Sequence, residues 1–134
     1  MESSITNTLD ILYPASYPGT AKTKISFYAQ TPDLLPIYGK ESAERRCFVT
    51  DATVATLDCM KSFINRFEDG VCGKDILIIL GSGEPYKTIE SVLTITQTAL
   101  EAGFSRNDLF VGIGGGVICD LTGFAESVYK RGIR

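Results

Sequence analysis

Three short stretches of the chain set a carboxylate beside residues that free or expose the backbone. They are Asp51-Ala52-Thr53, then Gly81-Ser82-Gly83-Glu84-Pro85-Tyr86-Lys87, then Gly114-Gly115-Gly116-Val117 with Asp120 close behind. Each suits contact with a nucleotide. A carboxylate at a strand end accepts hydrogen bonds from a ribose diol; Asp51 or Thr53 is equally suited to cap a helix. Glu84 and Lys87 flank Pro85-Tyr86 and suit a polar ligand, or form a loop ion pair that adds little stability. The glycine triplet lets the main chain approach a ligand and turn sharply. A helix starting near residue 116 offers free N–H groups and a positive dipole end to a pyrophosphate. A tight turn with no ligand would have the same composition. Asp120 reads into the first turn of that helix, where the dipole favours an acid, and it is also a nucleotide contact beside the glycines. At the helix's other end Lys130 and Arg131 suit the dipole; an arginine there also grips a phosphate or carboxylate with its planar fork. The pattern is neither G-x-G-x-x-G nor a P-loop.

The elements that must position these residues follow from periodicity. Residues 1–21 are polar, hold two prolines and read as an irregular segment; 22–30 has strand alternation; 31–45 reads as loops around a short element. From Cys47 a rhythm begins. A short apolar strand over 47–51 precedes a helix over 53–70 with apolar positions 54, 57, 60, 64 and 67. Residues 75–81 read as a strand buried on both faces. A helix over 87–103 presents a face at positions 89, 92, 93, 96, 99 and 100, apolar except for Thr96, a buried strand spans 108–113, and a third helix spans 116–132. Strands alternating with helices predict an α/β fold: a Rossmann-like parallel sheet with flanking helices, incomplete, with ligands beyond the carboxyl ends of the strands. The order predicts a nucleotide-binding domain over 22–134. A further strand would begin at Ile133-Arg134, so an apolar edge and helix faces are expected to be uncovered.

The totals bound the function classes. The chain has 134 residues, 44% hydrophobic and 22% charged, with a formal net charge of -3. That balance argues against sequence-independent nucleic-acid binding. No apolar run approaches the ~20 residues of a membrane span. The first 21 residues carry two acids and no lysine or arginine, unlike a signal or transit peptide. Four cysteines without a C-x-x-C pair read as reduced, mostly buried thiols of a cytoplasmic protein. There is no histidine, which removes the commonest metal ligand and general base.

Together, the segments 49–54, 81–88 and 112–133 resemble the dehydroquinate synthase-like sugar-phosphate cyclases, in the family's order and spacing over roughly residues 22–134. The GGG-x-x-x-D core alone is also similar to glycerol dehydrogenase and iron-containing alcohol dehydrogenase relatives; the GEPYKT segment tilts the choice to the cyclases. The resemblance implies an NAD site built from Asp51, Ala52, Thr53, Glu84, Lys87, Gly115, Gly116, Val117 and Asp120. It implies that Arg131 binds substrate. Glu126 replaces a small residue usual in the family, and Ala52-Thr53 replace a more polar pair.

The activity implied is that of a carbon–oxygen lyase. NAD transiently oxidises a hydroxyl of a phosphorylated seven-carbon sugar acid, phosphate leaves, and the ring closes to 3-dehydroquinate in the shikimate pathway of aromatic amino acid biosynthesis. The family's divalent metal, zinc or cobalt, is held by a glutamate and two histidines in a second, mainly helical domain; that domain and the catalytic residues are absent here. The expectation is an NAD-binding portion of a longer enzyme, inactive alone, with no catalytic or metal-ligating residue of its own, and a homodimer when intact. Two alternatives remain: a cyclase acting on sedoheptulose 7-phosphate or forming an aminocyclitol, and a non-catalytic nucleotide-binding module.

Overall fold

The structure, a computed structural model, describes residues 5–12, 22–28, 45–70 and 72–132. Two compact units divide at Ile37/Tyr38. In the first, strand β1 (Ile5–Leu12) pairs antiparallel with β2 (Lys22–Tyr28), setting Leu9 opposite Ile25 and Ile11 opposite Thr23. A strand at 5–12 departs from the irregular segment expected there. Its residues are all exposed, so the usual buried-face signal is missing. What favours the strand is the Ile/Thr content and cross-strand partnering. The loops expected over 31–45 lie outside the described residues except for Arg45.

The second unit is a three-stranded parallel sheet in the order β4-β3-β5, with β3 (Arg46–Asp51) central, β4 (Ile76–Leu80) on one side and β5 (Leu109–Gly112) on the other. This is the Rossmann-like α/β arrangement that the alternating pattern predicts. Five of the six β3 residues are buried. Strand β4, expected to be buried on both faces, is an edge strand among the described residues, and Ile79 is 48% exposed. An apolar run marks a strand but does not place it within the sheet.

The helix expected over 53–70 is two pieces. Asp51 caps a single turn, α1 (Ala52–Ala55); Leu57 is extended; α2 (Asp58–Glu68) then starts with an acid at its N-terminus, as the dipole favours. Phe63 and Phe67 of α2 meet Phe48 of β3 edge-on at 5.1 and 5.8 Å, which forms the core on one face of the sheet. On the other face pack α3 (Ile89–Glu101) and α4 (Gly116–Val128), burying Val92, Ile95, Ala99, Ile118, Leu121 and Ala125 against Cys47, Val49, Ile78 and Phe110. Helix α3 therefore turns 92 and 99 inward as expected, joined by Ile95, which the expected face did not include. Ile89, Leu93 and Leu100 are about half exposed, as are Phe124 and Val128 on α4. Helix α3 carries apolar residues on both faces, and only the sheet decides between them.

Of the four thiols, all free, only Cys47 is buried; Cys59 and Cys119 are exposed and Cys72 is intermediate. Burial pushes the Cys47 thiol up to about 12. Among the described residues no helix is long and apolar enough to cross a membrane.

Candidate functional site

All three chemistry-bearing stretches meet at the carboxyl end of the sheet, because β3, β4 and β5 are parallel and in register. Asp51 ends the central strand. Its Oδ1 accepts from Thr53 N at 2.8 Å, Val54 N at 2.9 Å and Ser82 Oγ at 3.2 Å. The capping role that the sequence leaves open is thus real. It occupies one carboxylate oxygen.

The second stretch follows β4. Gly83 has φ +85 and needs to be glycine; Glu84–Tyr86 form one 3-10 turn. A Cβ on Gly81 would lie 2.1 Å from the Tyr86 ring, so that ring fills the space a side chain would take. Thr88 caps α3 by accepting from Ser91 N at 3.2 Å, and Ser91 Oγ donates to Tyr86 O at 2.6 Å. This holds the Lys87 backbone at the α3 N-terminus. Lys87 does not form the loop ion pair with Glu84. Its ammonium meets Asp120 at 2.9 Å, with the side chains 42% and 62% exposed. The hydrogen bond to Asp120 and that carboxylate's charge, with a smaller contribution from Glu84, raise the Lys87 pKa.

The glycine triplet follows β5. Ile113 N donates to Val49 O at 2.8 Å and Thr50 Oγ1 donates to Ile113 O at 2.7 Å, which pins the start of the turn to the central strand. A Cβ on Gly112 would fall 2.9 Å from Thr122 Oγ1, and one on Gly114 3.0 Å from Ile118; these glycines let α4 lie close to β5. Gly115 and Gly116 are different. Neither has a positive φ, and a Cβ on either meets nothing within 4 Å. The sharp turn expected of the triplet is not made by a left-handed residue there. Val117 continues the first turn of α4. Asp120 lies one place beyond that turn, so the dipole is not its main partner; Lys87 is. Between the starts of α3 and α4, beside this ion pair, lies a cavity of about 310 Å³ walled mainly by Ile89, Val92, Leu121 and Phe124.

Arg131 is elsewhere. Helix α4 runs back along the sheet for 13 residues, so its end lies about 20 Å from the glycines. There Tyr129 packs on Phe110 at 5.3 Å, and Tyr129 OH and Lys130 Nζ both donate to Phe104 O, at 2.9 and 2.7 Å. Lys130 and Arg131 have φ of 45° and 65° and leave the helix. They are therefore not the last-turn cations that the sequence suggests. Asp51, Thr53, Glu84, Lys87, Gly115, Gly116, Val117 and Asp120 thus share one end of the sheet, and Arg131 stands at the other. Ser82 and Thr50 are not among the site residues expected from sequence. A serine between two glycines after a strand is the available signal for Ser82. Nothing local marks Thr50.

Residues 77–134 match the family described as 3-dehydroquinate synthase N-terminal. The chain is 35% identical over 100 residues to a 3-dehydroquinate synthase of Thermococcus kodakarensis, covering 74% of this chain and 28% of that protein. A crystal structure of 2-deoxy-scyllo-inosose synthase is similar over 95% of this chain and 34% of its own, with a TM-score of 0.66 and 20% identity, a likeness of fold. The 2-epi-5-epi-valiolone synthase ValA of Streptomyces hygroscopicus, solved with NAD+ and Zn2+ bound, is similar over 77% of this chain and 29% of its own, at a TM-score of 0.56 and 26% identity. The chain spans about a quarter of the length of the curated relatives it matches.

Proposed function

From the match of residues 77–134 to the N-terminal part of 3-dehydroquinate synthases, we propose that the chain is the nucleotide-binding portion of a sugar-phosphate cyclase, with NAD seated at the carboxyl end of the sheet. The observation that carries this is the pair Gly115-Gly116. No backbone angle and no neighbouring atom requires a glycine at either place. Bare backbone at the start of a 13-residue helix is what a pyrophosphate needs in order to reach N–H groups. Val117 extends that row of N–H groups. Asp51, with Ala52 and Thr53, would hold the adenosine ribose. Glu84, Lys87 and Asp120 would line the rest of the site. Bound there, the cofactor would supply reversible hydride acceptance from a substrate hydroxyl.

Among the described residues no group of three His, Cys, Asp or Glu side chains is placed to hold a metal ion. No step through a metal is assigned to these residues. The overall reaction, loss of phosphate from a phosphorylated heptulosonate to give 3-dehydroquinate, belongs to the same proposal and is favoured over other cyclases by the named sequence relatives. So do a homodimeric assembly and a cytoplasmic setting. Arg131 as a substrate contact is a separate assignment, since it lies about 20 Å along α4 from the glycines.

Calorimetric titration tests the reading. The 134-residue chain should bind NAD saturably at one site while failing to turn over 3-deoxy-arabino-heptulosonate 7-phosphate. No NAD binding at millimolar concentration would overturn the cofactor assignment. Turnover by this chain would overturn the assignment of catalysis to other residues.

A further inference from the structure

We propose that Ser82 is a positioning residue that fixes which oxygen of Asp51 faces the nucleotide, and through it selects a dinucleotide with a free ribose 2′-hydroxyl over its 2′-phosphorylated counterpart. The inference rests on the NAD reading above and deepens it. Ser82 Oγ accepts from Thr53 N at 2.9 Å and from Thr53 Oγ1 at 2.8 Å, and donates its only proton to Asp51 Oδ1 at 3.2 Å. Both lone pairs and the one proton of the hydroxyl are thereby used. The result at Asp51 is asymmetric. Oδ1 takes donors from Val54 N and Ser82 Oγ and shares the bifurcated Thr53 N–H with Ser82 Oγ. Oδ2 has no partner among the described residues, on a side chain that is only partly buried at the end of the central strand.

A carboxylate held by one oxygen leaves the other fixed in direction. Oδ2 then has free lone pairs for a hydroxyl donor, and it presents negative charge to anything anionic. A ribose diol satisfies it, while a 2′-phosphate is repelled and leaves it unpaired. Ser82 comes from the β4 loop and Asp51 from β3, so the selection depends on two adjacent strand ends meeting rather than on either sequence stretch alone. Without the Ser82 hydroxyl, Oδ1 is held only by the backbone of its own turn, and the carboxylate is freer to rotate about its last bond.

The test compares NAD and NADP binding by calorimetry for the wild-type chain, Ser82→Ala, the size-matched Ser82→Cys and the hydroxyl-retaining Ser82→Thr. NAD affinity should fall about tenfold in the alanine and cysteine variants, as for loss of a hydrogen bond to a charged group. NADP affinity should stay within about twofold, and the threonine variant should retain the wild-type preference. Unchanged NAD affinity in a folded Ser82→Ala or Ser82→Cys protein would overturn the proposal. So would a parallel fall for both nucleotides, which would mean that Ser82 only braces the loop. If the wild-type chain binds neither nucleotide, the cofactor reading fails first and the Ser82 role falls with it.

Discussion

At the amino end of the parallel sheet, Arg46 reaches Asp75 through its backbone N–H, its Nε and its Nη2, with both side chains about nine-tenths buried. At the carboxyl end, Lys87 meets Asp120 through one contact between exposed side chains. Arg45 behaves as Arg46 does, stacking over Phe104 at 4.3 Å and donating to Ala102 O and Lys74 O. Asp51 behaves as Lys87 and Asp120 do, with one oxygen engaged and the other open. At the amino end Arg46 and Asp75 are buried and Arg45 is partly so, and all three are committed to holding strand starts and helix ends together. Charges at the carboxyl end are accessible and only partly engaged. Similar residue types secure the fold at one end and remain available to a ligand at the other.

The largest expected effect breaks the amino end. Asp75→Ala removes the carboxylate from a buried guanidinium and should destabilise the chain by ~3–5 kcal/mol, read from denaturant unfolding. Next comes the carboxyl end. Gly116→Ala should lower NAD affinity about tenfold or more while leaving the melting temperature unchanged or slightly raised, because alanine is the better helix former. A comparable loss of stability in that variant would show that the glycine serves the fold after all. Lys87→Ala should leave the melting temperature almost unchanged, because the pair it breaks is exposed, and should weaken NAD binding, as titration of the same protein would reveal.

The smallest effect depends on pH. Burial raises the carboxyl pKa of Glu126. The folded state therefore holds that proton more tightly than the unfolded chain. Its contribution is fully present below the unfolded value and is lost as pH rises through the raised folded value. Glu126→Gln should accordingly raise the melting temperature slightly at about pH 7 and leave it unchanged near about pH 3, below the ordinary glutamate range. An equal shift at both pH values would trace the effect to packing rather than to charge.

Much of the carboxyl end is legible in the sequence because its signals are local. Gly83 sits where φ is positive, Thr88 sits one residue before a helix, and Asp51 closes an apolar run. Less of the amino end is legible. The Arg45-Arg46 pair, Asp75 and Lys130 come from separate segments with no shared motif, and the sequence offers no register to unite them. The split of the 53–70 helix at Leu57 and the strand at 5–12 escape sequence reading for a related reason: neither follows the rule that apolar periodicity marks a buried face.

The sequence by itself determined the alternation of strands with helical segments from Cys47 onward, the three marked strand ends and the absence of histidine, because periodicity, glycine placement and composition need no partner to be read. Only the tertiary structure decided that β4 lies at an edge, which face of α3 is buried, that Lys87 turns to Asp120, and that Arg131 ends up a helix length from the glycines. It also decided that a Cβ on Gly115 or Gly116 would meet nothing within 4 Å among the described residues, and that Asp51 Oδ2 has no partner among them. Those are contacts between residues far apart in the chain, fixed by sheet register and helix packing rather than by any local preference.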